Sequence, residues 1–168
     1  MLSWFVLLAT ATACFGQQQP NLATQRAAMK KLEFLVGKWS GDATVNRGRP
    51  IAIKQSEVIS FKLDGLVMVV EGTGRNSDGV IQFQAFATIS YDDVAGQYRF
   101  RAYNEGRYLD TDLEVTEGGF AWGYAAGPLK VRNVMKLTAK GEWQETTESE
   151  YGNTPPRKSV EMLLKKIP

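Results

Sequence analysis

The chain of 168 residues contains no histidine. That absence removes Ser-His and Cys-His nucleophilic catalysis, His-ligated zinc and His-ligated haem together. Its one cysteine, Cys14, stands close to the start. A mature form beginning beyond it has no disulfide, no thiol nucleophile and no Cys-based metal site. No Lys/Arg run exceeds two residues, and twenty basic against eighteen acidic side chains leave a net charge of +2. Neither nucleic acid nor an anionic membrane surface is implied as a partner. Runs long enough to span a bilayer are missing as well, so no transmembrane segment is expected.

What the first residues do contain is an uncharged stretch, Met1 to Gly16, with the apolar run Trp4-Phe5-Val6-Leu7-Leu8-Ala9 followed by small residues. That is the pattern of a secretory signal, although its opening lacks Lys or Arg. Ala11-Thr12-Ala13-Cys14 is also similar to a lipobox, but Ala11 stands where Leu is usual and bulky Phe15 follows the cysteine. Ordinary cleavage after Gly16 is expected, leaving residues 17–168 as a single domain in the periplasm or outside the cell. A chain of this length supports one well-buried core and not two comfortable ones.

Beyond Asn21, a candidate N-cap, the spacing predicts a helix from Leu22 to Val36, with Ala28, Leu32, Leu35 and Val36 on one side. Gly37 is expected to end it. From Trp39 onward the apolar period changes to two, with Trp39, Gly41, Ala43 and Val45 on one strand face. The same alternation recurs over 51–63, 80–91, 97–104, 107–116, 120–125, 129–137, 143–151 and 158–167, with 66–74 a strand apolar on both faces, separated by turns such as Asp64-Gly65 and Glu105-Gly106. About ten short strands on brief turns describe an antiparallel meander, which closes most naturally into an up-and-down β-barrel with one N-terminal helix.

If the apolar faces point inward, the lumen also receives Gln55, Glu57, Asn104, Thr111, Asn133, Glu145, Thr147 and Ser149. That is too much polarity for a dry core, since buried polar groups need partners and buried carboxylates are costly. Phe83, Tyr98, Phe100, Trp122, Tyr124 and Trp143 would supply aromatic walls. Apolar walls with a few convergent polar groups describe a small-molecule site. Glu57, Asn133 and Glu145 are the residues expected to orient a ligand, with Trp122, Trp143 and Tyr98 against it. A strand bend that carries Glu57 and Glu145 to a solvated rim is the structural alternative. Arg101-Ala102-Tyr103 resembles the carboxylate-holding Arg-x-Tyr of fatty-acid-binding proteins, but the alternation points Arg101 and Tyr103 outward. Gly72-x-Gly74 lacks the helix that a phosphate loop requires and reads as a bend and turn.

Gly37-Lys38-Trp39 at the start of the first strand after a short helix resembles the opening motif of calycin barrels, which include lipocalins and nitrobindin-like proteins. With Ile89-Ser90-Tyr91-Asp92 before the turn into Tyr98-Arg99-Phe100, the pattern is similar to a family of secreted bacterial calycin-like proteins of undefined function. The resemblance implies a container. Nitrobindin-like proteins hold haem through a histidine, which this chain lacks, so no cofactor is carried over. The expected function is binding of a small, partly apolar molecule in the lumen of a monomer or homodimer. A cofactor-independent isomerase or hydrolase using the lumen carboxylates, and a filled-barrel interaction module, are the alternatives.

Overall fold

A computed structural model describes residues 19–46 and 48–168; the expected signal segment, Cys14 included, lies outside the described residues. Helix α1 (Leu22–Lys30) is followed by a 3-10 turn (Glu33–Leu35). The strands are β1 (Gly37–Asn46), β2 (Pro50–Lys62), β3 (Val67–Arg75), β4 (Ile81–Asp92) and β5 (Gln97–Asn104). After them come β6 (Arg107–Thr116), β7 (Gly119–Ala126), β8 (Leu129–Leu137), β9 (Trp143–Tyr151) and β10 (Arg157–Ile167). Each strand pairs antiparallel with its neighbours in sequence, and β10 pairs with β1, so the sheet closes into a ten-stranded barrel. Among the described residues, no helix is long and apolar enough to cross a membrane.

The helix starts as its sequence requires: Asn21 Oδ1 accepts the backbone N–H of Thr24 at 3.0 Å. It does not, however, run to Val36. From Lys31 onward the backbone N–H groups of Lys31, Leu32, Leu35 and Val36 bond to carbonyls three residues back, and the chain tightens into the 3-10 turn. The tighter winding brings Met29, Leu32 and Leu35 together, all fully buried under one end of the barrel. Gly37 opens β1 rather than ending the helix, with φ at +130°, a value that L side chains rarely adopt.

Several bonds hold this plug in place. Trp39 Nε1 donates to the Leu35 carbonyl at 2.7 Å, and the Tyr98 hydroxyl donates to the Ala28 carbonyl at 2.8 Å. Asp93, in the β4–β5 turn, accepts from the Asn21 N–H and the Gln25 side chain, and Arg26 pairs with Asp64 in the β2–β3 turn. Ile59, Met68, Ile89, Leu113, Met135 and Leu164 all lie within a few residues of the strand ends at this side, so the barrel is filled there. Leu164 packs inward opposite Gly41, where an added Cβ would meet the Leu163 carbonyl oxygen at 2.0 Å.

Outside, Arg99 and Arg101 pair with Asp110 and Asp112 across β5 and β6. The Arg101-x-Tyr103 pair therefore lies on the outer face, with the Tyr103 ring against Phe86.

The Trp39 bond generates a stability prediction. Trp39→Phe leaves the Leu35 carbonyl without its donor and loses ring area, which should cost about 2–3 kcal/mol. In thermal denaturation followed by circular dichroism, the midpoint should fall by about 5–10 °C.

Candidate functional site

The barrel is filled at the helix end and hollow above it. A cavity of about 670 Å³ occupies the rest of the lumen, from Leu35, Glu57, Trp143 and Glu145 at its inner end to Asn104, Arg107, Tyr108 and Ala126 at its mouth. Its walls are apolar: Val70, Phe83, Ala85, Ala87, Ile89, Phe100, Ala102, Leu109, Phe120, Trp122, Leu129 and Met162. Phe100 stacks on Trp122 with ring centroids 5.3 Å apart, and Trp122 on Tyr124 at 6.4 Å, so one wall is a continuous aromatic surface.

Glu57 reaches the lumen because β2 keeps its alternation without a break. Ile53, Gln55, Glu57 and Ile59 are all buried, and no register shift interrupts the pairing of β2 with β1 or β3. The bend that would have carried Glu57 to the rim is absent. The neighbouring strand makes room for these side chains through its glycines. A Cβ at Gly72 would stand 2.9 Å from both Glu57 carboxylate oxygens, and one at Gly74 would stand 2.7 Å from Gln55 Oε1. Gly72-x-Gly74 is thus the bed on which Gln55 and Glu57 lie, within the strand rather than in a turn.

Each carboxyl is held by donors. Gln55 Nε2 donates to Glu57 Oε1 at 2.7 Å. Asn133 Nδ2 donates to Glu145 Oε1 at 2.7 Å and to Thr147 Oγ1 at 2.8 Å, while Trp143 Nε1 donates to Glu145 Oε2 at 2.7 Å. Glu57, only 7% exposed, is pushed up to about 8 by burial, against the opposing hydrogen bond from Gln55 and with the Glu145 charge adding to the rise. Burial also raises Glu145, against the hydrogen bonds from Asn133 and Trp143. Among the described residues, no cluster of three or more His, Cys, Asp or Glu could hold a metal ion.

Of the residues singled out from the sequence, Glu57, Glu145, Trp122 and Trp143 meet around the cavity. Asn133 is fully buried behind Glu145 and does not line it; its Oδ1 is buried without a partner among the described residues. Tyr98 faces the helix instead, its hydroxyl on Ala28 and its ring edge-on to Tyr91 at 4.9 Å. Arg107 and Tyr108 at the mouth were not anticipated. Alternation places Tyr108 on the outer face, but the β6–β7 ladder runs only from the Thr116–Gly119 pair to the Leu113–Trp122 pair. Beyond it, the Thr111 hydroxyl bonds across to the Gly123 carbonyl at 2.8 Å, and Tyr108, near the start of β6, lines the mouth.

No protein-family model matches this chain, and no curated protein shows significant sequence similarity to it. Among solved structures it is similar to Rv2717c from M. tuberculosis, with a TM-score of 0.64 and 12% identity over 84% of this chain and 98% of that one. At that identity the likeness shows the fold alone: a closed ten-stranded antiparallel barrel with a helix at its start.

Proposed function

We propose that this protein is a secreted or periplasmic container of calycin type, which takes a small, partly apolar molecule into its lumen. The observation that carries the reading is the cavity of about 670 Å³, closed at the helix end and reaching the surface at the other, with apolar walls and two carboxyls at its inner end. Cavities of this size and lining suit ligands of ordinary small-molecule dimensions. Glu57 and Glu145 would fix the polar end of the ligand, with Asn133 steadying Glu145, and Trp122 and Trp143 would lie against its body. The signal-like segment Met1–Gly16 supports export. A filled barrel is disfavoured by the open lumen itself.

A second reading, a cofactor-independent isomerase or hydrolase, draws on one observation. A carboxyl raised to about 8 and within electrostatic reach of a second can hold or accept a proton at neutral pH. The two readings differ in what happens to the guest. A container returns it unchanged, and an enzyme returns it altered.

The raised Glu57 also has a consequence for stability. Between the ordinary value of 4.5 and about 8, the folded protein keeps a proton that the unfolded chain has released. Stability therefore falls as pH rises through that window and levels off above it. Glu57→Gln removes this titration while preserving the oxygen that accepts from Gln55. Its melting temperature should match the parent near pH 4.5 and exceed it by about 5–10 °C at pH 8.5, as scanning calorimetry at both pH values would show.

The container itself is tested by native mass spectrometry of protein purified from its own source, compared with the denatured mass. A discrete extra mass lost on denaturation is expected. An empty lumen, together with no quenching of tryptophan fluorescence by any small amphiphile, would sink the reading.

A further inference from the structure

We infer that the lumen is built for an organic cation, an amine on a partly apolar body whose nitrogen sits between Glu57 and Glu145. The inference rests on the container reading and names the class of molecule contained. Three features of the geometry carry it.

First, the hydrogen bonds that reach the two carboxyls, from Gln55, Asn133 and Trp143, are all donated to them. Donors stabilise the anionic form of a carboxyl, so the protein has arranged half of the solvation that two carboxylates need. Second, the other half is missing. Glu57 lines the cavity while more than nine-tenths buried, and its Oε2 has no hydrogen-bond partner among the described residues. Among the described residues no cation accompanies the pair: the one Lys or Arg in the lining is Arg107, which is exposed at the mouth. Third, aromatic rings stand where a cation would enter. Trp143 borders the carboxyls, with Phe120 edge-on to it at 6.1 Å, and the stacked Phe100 and Trp122 form the wall above. Ring faces attract organic cations, most strongly where water is excluded.

A carboxyl pair at the inner end of an apolar cavity, one member buried and the other half-buried, is costly to ionise without a counter-ion, and a guest that brings the positive charge removes that cost. The surroundings of Glu57 make the exchange proton-linked. β1 presents Trp39 to it, β3 presents Gly72, the 3-10 turn presents Leu35, and β9 presents Glu145 as the one other titratable group at the inner end among the described residues. In the empty barrel Glu57 carries a proton up to about pH 8. An ammonium ion takes its place, and the proton leaves to solvent.

The test uses three molecules with one apolar body and different heads: 4-phenylbutylamine, 4-phenylbutanol and 4-phenylbutyrate, titrated calorimetrically into the purified protein. At pH 7 the amine should bind at least tenfold more tightly than the alcohol, and the carboxylate should bind most weakly. Measurements in two buffers of different ionisation heat should show proton release with the amine alone. Amine affinity should rise by roughly tenfold or more from pH 6.5 to 8.5, as the ionised fraction of Glu57 grows. Glu57→Gln and Glu145→Gln should each abolish the preference for amine over alcohol while keeping the alcohol bound, which shows that the lumen remains intact. Equal binding of amine and alcohol, or tightest binding of the carboxylate through Arg107, would overturn the cation inference and leave the container standing. Failure of all three, with no bound mass in the native protein, would remove both.

Discussion

The indole N–H of Trp39, donated to the Leu35 carbonyl, fastens the plug to the wall, and the division of the lumen follows from it. Trp39 packs edge-on against Trp143 at 5.7 Å, and Trp143 in turn against Phe120. Those three rings and Leu35 form a floor. Below them, Met29 and Leu32 fill the barrel end together with the inward residues of the nearest strand turns. Above them, Ala85, Ala87 and Ala102 among the inward residues leave the space open. Trp143 belongs to both halves: its ring completes the floor while its N–H holds Glu145 at the inner end of the cavity. The same ring therefore seals the barrel and positions a carboxyl, so the stability of the floor and the geometry of the site are linked.

One buried carboxyl and one half-buried carboxyl in a small protein require compensation, and it comes from neighbours close in register. Gln55 stands two residues from Glu57 on the same face of β2, and Trp143 two residues from Glu145 on β9. Asn133 reaches Glu145 from the adjoining β8. The glycines of β3 complete the arrangement, since any side chain at Gly72 would displace the Glu57 carboxylate. Each of these contacts depends on strict alternation. A slip of one residue would turn Glu57 outward and Val58 inward.

This dependence also explains how much could be read from the sequence. Period-two alternation assigns a face, and the ten strands, their turns and the inward direction of Glu57, Glu145, Trp122 and Trp143 were legible from it. Alternation does not assign a depth. Tyr98 and Phe100 share a face, yet Tyr98 stands one step nearer the helix end and meets Ala28, whereas Phe100 lines the cavity. Asn133 points inward as its alternation requires, but it lies on Glu145 and outside the cavity lining. The helix was overextended because Leu32 and Leu35 continue a helical stripe, and a 3-10 turn presents those same residues inward. Glycines two apart on β3, opposite a strand that carries Gln and Glu on its apolar face, mark in the sequence itself the place where long polar side chains cross a strand.

The missing histidine takes on a further meaning in this setting. In most proteins the side chain that titrates near neutral pH is an imidazole, because its unperturbed value already lies there. Here a carboxyl reaches that range through burial, and only while it stays both buried and without a counter-charge. A carboxyl near pH 8 is neutral when protonated and anionic when it is not, the reverse of histidine, which is cationic and then neutral. A proton lost from this lumen therefore leaves negative charge among aromatic rings, which the neutral donors Gln55, Asn133 and Trp143 offset in part and a positive charge would offset further. The chemistry available to the cavity follows from which residue type carries its proton, and the sequence placed a glutamate there.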